Sequence, residues 1–123
     1  MDLKTLHGQL IGYLEEGKFA EGIEDFYAED VVARENGNPP RTGRASLAEA
    51  ERGYLADVTA YHGITVHHTA IEDHGQGSGV VVYEAEMRWD HSKDGQVHVQ
   101  QCVVERWSQG KISDIRFYGT FIP

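Results

Sequence analysis

Tyr83-Glu84-Ala85-Glu86-Met87-Arg88-Trp89-Asp90-His91-Ser92-Lys93-Asp94-Gly95-Gln96-Val97-His98-Val99-Gln100-Gln101-Cys102-Val103-Val104-Glu105-Arg106-Trp107 is the stretch on which the fold turns. Apolar and polar residues alternate on both sides of Lys93-Asp94-Gly95, the period of two that marks half-buried strands. A three-residue hairpin loop with Gly95 in the left-handed position predicts that Ser92 pairs with Gln96. That register gathers Tyr83, Ala85, Met87, Trp89, Val97, Val99, Gln101, Val103, Glu105 and Trp107 on one face. Glu84, Glu86, Arg88, Asp90, His98, Gln100 and Arg106 fall on the other. Gln101 and Glu105 interrupt the apolar face, and polar groups so placed either bind something or need partners. They read equally as pocket lining, as a hydrogen-bonded pair, or as a salt bridge with Arg116. Cys102, the lone cysteine, reads as a small buried hydrophobe.

Working outward, Gly-rich breaks at 73–79, 92–95 and 108–110 divide the chain from Ile64 onward into four long strands. Strands of about a dozen residues span roughly 40 Å and must twist and bend, so the sheet has a concave face. Upstream, Leu3, Leu6, Leu10, Tyr13 and Leu14 share one helical face, and Gly17 is placed to end that helix. Phe19, Ile23, Phe26 and Tyr27 predict a second helix that gives way to a short strand at Val31-Val32-Ala33. Asn36-Gly37-Asn38-Pro39-Pro40 breaks the chain into a loop. Ser46 and Glu49 form a capping box, after which Leu47, Ala50, Tyr54, Leu55 and Val58 predict a third helix ending near Gly63. Gly53 sits inside it at a cost of about 1 kcal/mol, which suggests close packing or a neighbouring cavity. The predicted fold is α+β. Three N-terminal helices pack on a strongly curved antiparallel or mixed sheet of four to six strands and enclose a pocket, all within one domain spanning 1–123.

At 123 residues the chain can bury a core without disulfide or metal staples. Its 20 acidic and 11 basic residues give a formal charge of −9, with no basic patch, which excludes nucleic acid as a partner. Charged residues recur through Met1 to Leu14, so no export signal or membrane span is visible there, and a cytoplasmic location is expected. The 7 histidines do not fall at metal-ligand spacing: His67 and His68 point to opposite faces of a strand, as do His91 and His98 in the predicted register. Gly75-Gln76-Gly77-Ser78-Gly79 lies between strands and opens no helix. No metal and no cofactor are therefore expected.

The element order resembles that of the nuclear transport factor 2-like superfamily across the whole chain. The resemblance is carried by Phe26-Tyr27-Ala28-Glu29-Asp30-Val31-Val32, by Arg41-Thr42-Gly43-Arg44-Ala45 and by Val104-Glu105-Arg106-Trp107-Ser108-Gln109-Gly110-Lys111-Ile112. Together these look like SnoaL-like polyketide cyclases and their ketosteroid isomerase relatives. The resemblance implies a cone-shaped fold, a ligand pocket and a homodimer formed through the sheet. It also places Glu35 where the isomerases carry their general-base carboxylate, a group that must be ionised yet poorly solvated. The isomerases' oxyanion acid corresponds to Val103 and their first-helix tyrosine to Leu10, so steroid isomerisation is not implied. The cyclases' acidic residue near the end of the last strand has no counterpart in Arg116-Phe117-Tyr118-Gly119-Thr120.

The functional expectation is a pocket for a small apolar molecule, lined by Tyr54, Tyr83, Met87, Trp89, Gln101, Val103, Glu105, Arg116 and Tyr118. In one reading Glu35 moves a proton in a cofactor-free isomerase, cyclase or hydratase acting on a ketone-like substrate. In the others the chain is a non-catalytic ligand-binding protein or a homodimeric interaction module. The inward placement of Arg116 and Tyr118 rests on the resemblance and on a two-residue Gln109-Gly110 turn; a three-residue turn puts Phe117 there instead.

Overall fold

The computed structural model describes residues 1–123. Three helices, α1 (Leu3–Glu15), α2 (Phe19–Phe26) and α3 (Arg44–Leu55), accompany six strands. These are β1 (Tyr27–Glu35), β2 (Arg41–Thr42), β3 (Val58–Gly75), β4 (Ser78–His91), β5 (Gly95–Ser108) and β6 (Lys111–Phe121). One open mixed sheet runs in the order β2-β1-β6-β5-β4-β3, with β1 parallel to β6 and every other pairing antiparallel.

Local chemistry accounts for most boundaries. Asp2 caps α1 by accepting from the Thr5 backbone N–H at 2.8 Å, and Gly17, at φ +75°, ends the turn that follows. The predicted capping box is not formed. Helix α3 starts after Gly43, whose backbone N–H donates to Val31 O at 2.9 Å and ties the helix entrance to β1. The helix also ends at Leu55, well before Gly63, because residues from Val58 onward belong to β3. Gly53 faces open space, so close packing does not explain it.

The hairpin between β4 and β5 differs from the predicted register by two: His91 pairs with Gly95 and Trp89 with Val97. A slip of two preserves both faces, and Tyr83, Ala85, Met87 and Trp89 still stand beside Val97 through Trp107 on the inner side. The last hairpin turns through Gln109 and Gly110, both at positive φ, with Ser108 paired to Lys111. Two residues further the pairing shifts. Trp107 faces Ile112 but Arg106 faces Asp114, so Ser113 is an extra residue, a β-bulge. Beyond it every side chain of β6 has changed face.

Leu3, Leu10, Phe26, Val31, Leu47, Val81, Val103, Trp107, Ile112 and Ile115 form the core between the helices and the inner face. On the outer face Glu86 binds two histidines from neighbouring strands, His67 Nε2 and His98 Nε2, each at 2.6 Å. The bulge between Val66 and His68 brings His67 and His68 to the same outer depression, against the predicted opposition. Cys102 also lies on this side, across from Glu84 and Tyr118. It is half-buried and not a core residue.

The hydrogen bonds from His98 and then His67 hold the Glu86 carboxyl down to about 2 from its ordinary 4.5. A depressed carboxyl contributes stability above its unfolded value and loses it as pH falls through the folded one. The stability of the native chain is therefore expected to fall between pH 4.5 and about 2 more steeply than that of Glu86→Gln. Urea midpoints measured across that window check this, and parallel curves contradict it.

Candidate functional site

The inner face of the sheet and the three helices line a cavity of about 1140 Å³. Its wall is mostly apolar and aromatic, with contributions from Leu10, Phe19, Leu47, Met87, Val99 and Phe117. Against that wall stands Glu105, which has no exposed surface. One of its oxygens, Oε1, lies 2.8 Å from His7 Nδ1 of α1 and accepts from Trp107 Nε1 at 3.1 Å. The other, Oε2, has no hydrogen-bond partner, and neither does His7 Nε2. Tyr83 packs its ring 4.8 Å from the His7 imidazole, and Tyr27 and Tyr83 both line the cavity within range of the Glu105 charge. Burial pushes both phenols far above the ordinary tyrosine range. His7 of α1 and Trp107 of β5 thus hold this carboxylate, and Tyr83 of β4 packs on the His7 ring.

A second set of charges stands elsewhere on the cavity wall. Glu35 is exposed at the end of β1, and Arg41 of β2 and Glu51 of α3 also line the cavity. Burial raises the Glu51 carboxyl above the usual range; Arg41 opposes the rise and Glu35 adds to it. The β4–β5 hairpin carries a third polar group. Trp89 Nε1 donates to the Tyr54 hydroxyl at 2.8 Å, and that hydroxyl donates to Asp94 at 3.1 Å. His91 stacks on Tyr54 at 4.3 Å and accepts from the Lys93 and Asp94 backbone N–H groups, which shapes the hairpin tip.

Residues 9–115 match the family model described as SnoaL-like domain. The chain belongs to the SnoaL-like domain family. Solved structures agree with this SnoaL-like fold. An epoxide hydrolase/cyclase-like enzyme described in pyran ring formation in the polyether salinomycin superposes with a TM-score of 0.74 at 20% identity, covering 95% of this chain and 89% of that one. An LEH-like epoxide hydrolase of M. tuberculosis gives 0.71 at 17% identity, over 94% and 80% of the two chains. A SnoaL-like polyketide cyclase from Mesorhizobium loti gives 0.69 at 18% identity, over 96% and 99%. At these identities the likeness shows the fold alone. No curated protein matches the chain.

Within this SnoaL-like domain, Tyr54, Tyr83, Met87, Trp89, Gln101 and Glu105 line the cavity, as does Glu35. Val103 does not: it is sealed in the core beneath the wall. Arg116 and Tyr118 face outward, where Arg116 binds Asp114 and Tyr118 is 48% exposed. The Ser113 bulge is the reason. With the two-residue turn alone both would have pointed inward; the extra residue puts Phe117 on the cavity wall in their place. The suggested Glu105–Arg116 salt bridge is excluded for the same reason, and His7 takes its place. His7, Tyr27 and Glu51 were missed as site residues. Leu3, Leu6 and Leu10 marked the buried side of α1, and His7 lies on that side next to Leu3 and Leu10 in the helix, which is the signal that could have found it.

Proposed function

We propose that the chain is a cofactor-free acid–base enzyme, of isomerase, cyclase or hydratase type, acting on a small and largely apolar molecule held in the cavity. Glu105, and not Glu35, is the carboxylate that moves the proton. The observation that carries this reading is the state of Glu105: fully enclosed, held through Oε1 by His7 and Trp107, with Oε2 unpartnered. A buried polar atom normally finds a partner, and a vacant oxygen held rigidly beside an apolar cavity fits a group whose partner is a ligand. Poor solvation favours transfer of a proton from a weak acid to such a group. Glu35, exposed and without an ion-pair partner, has none of these properties.

A thermal-shift screen against ketones, polycyclic aromatic ketones and small hydroxy acids tests the cavity, since a ligand at 100 times its Kd adds about 2.7 kcal/mol of stability. Each stabilising compound is then incubated with the native chain and with Glu105→Gln, and the products are analysed. Turnover by the native chain that disappears in the variant supports the enzyme. Stabilisation of both without turnover makes the chain a ligand-binding protein, and no stabilisation by any class removes the cavity from consideration.

A further inference from the structure

We infer that Arg41 anchors a carboxylate of the ligand, which makes that ligand an apolar carboxylic acid lying across the inner face of the sheet from β2 toward Glu105. This rests on the reading of the cavity as a ligand site and adds to it the charge that the occupant carries.

The sheet register puts the two groups on one line. Glu105 of β5 is paired with Ile115 of β6, Ile115 with Ala33 of β1, and Ala33 with Arg41 of β2. Residues paired across strands share a face, and all four of these line the cavity. Arg41 therefore belongs to the same inner face as Glu105, three strand spacings away, about 14 Å along a flat sheet and less across a curved one. Ala33 and Ile115 lie side by side between them as apolar floor, and Leu47 and Ala50 of α3 line the same cavity.

Arg41 is the unused basic group of this wall. Of the lysines and arginines, only Lys4, Arg41 and Arg88 make neither an ion pair nor a hydrogen bond with the protein, and of these Arg41 alone lines the cavity. Arg34, also on the wall, is held by Asp114. Acids were plentiful, 20 against 11 basic residues, and Glu35 and Glu51 stand on the same wall, yet neither closes a pair with Arg41. Burial raises the Glu51 carboxyl, which favours its neutral form and weakens it as a competitor for the guanidinium. A guanidinium is a planar fork that meets a carboxylate through two parallel hydrogen bonds. A single guanidinium, on a wall that also carries Glu35, Glu51 and Glu105, balances one negative charge. A carboxylate fits that balance, and a doubly charged phosphate does not. With its carboxylate on Arg41 and its apolar body over Ala33 and Ile115, the ligand brings a fixed carbon to Glu105.

The test uses 2-naphthylacetate and 2-naphthylacetamide, which share a shape and an apolar body and differ by one charge, with binding followed by naphthalene fluorescence and by calorimetry at low salt. The native chain is expected to bind the acid at least about tenfold tighter than the amide, and Arg41→Gln to bind the two alike. Arg41→Lys keeps part of the preference, as a point charge without the fork. Glu51→Gln, which removes a competing acid, widens it. Because Arg41 makes no bond to the protein, Arg41→Gln keeps the urea midpoint of the native chain. A clear drop in that midpoint would mean that the guanidinium serves Glu35 and Glu51, and would overturn the anchor. Equal binding of the two probes by the native chain, or a preference that survives in Arg41→Gln, overturns the anchor and leaves the cavity standing. Failure of both probes to bind at their solubility limits overturns the anchor and the cavity reading together.

Discussion

His7→Ala is expected to destabilise the fold by about 3 to 5 kcal/mol, the largest stability loss of any single change considered for this chain. His7 Nδ1 lies 2.8 Å from Glu105 Oε1 across 98 residues of sequence, and both side chains are buried. Removing the imidazole leaves the carboxylate with the Trp107 indole as its one remaining partner and opens a void beneath Tyr83. An uncompensated buried charge is costly, and the void adds to the loss. Against a total of about 5 to 15 kcal/mol for a domain of this size, the variant stands near its folding limit at 37 °C. Glu105→Gln is milder because the amide can still accept from Trp107 and meet His7. Pairing His7→Leu with Glu105→Leu should restore much of the stability, since a buried polar pair replaced by apolar volume is often neutral or better. Urea unfolding at pH 7 ranks the three; a loss below about 1 kcal/mol for His7→Ala would mean that the helix and not the His7 hydrogen bond holds Glu105 in place.

What could be read from sequence depended on where strands kept strict alternation. The stretch from Tyr83 to Trp107 alternates without interruption in pairing, from Gly79 opposite Trp107 to His91 opposite Gly95, and its two faces followed from the pattern even with the register off by two. Strand β3 is different. Its pairing shifts near Thr59, at His62-Gly63, at His67 and at His74, and each bulge resets the alternation. With period two broken twice between Val58 and Ile64, Val58 through Gly63 looked like the tail of a helix, and the helix was drawn too long. Ser113 did the same damage in β6 with greater consequence, because the residues after it were candidate pocket residues. Bulges depend on how a strand meets its neighbours, so a single strand's pattern carries no clear sign of them.

The site was legible in part for a related reason. Glu105 stood out because a carboxylate on an apolar strand face breaks the pattern. Its partner could not be read from β5, because the choice between Arg116 and His7 depends on the face of β6 and on how α1 crosses the sheet.

Glu105→Gln is expected to lower kcat by about 10² to 10⁴, the usual loss when a positioned acid–base group is removed. Glu35→Gln should change it by no more than about threefold, because an exposed carboxylate shares its work with water. The contrast follows from geometry. The Gln side chain keeps the shape of Glu105 and its contact with Trp107, so substrate still enters and KM changes little, while the atom that takes the proton becomes an amide that cannot. Glu35 and Glu51, elsewhere on the cavity wall, act on whatever enters, and neutralising either alters capture and therefore KM. Steady-state kinetics on a substrate identified by the screen separates the cases through the split between kcat and KM. Equal losses of kcat in Glu35→Gln and Glu105→Gln would move the chemistry to the end of β1. An unchanged kcat in Glu105→Gln would reduce Glu105 to the anchor that His7 and Trp107 hold for the sake of the fold.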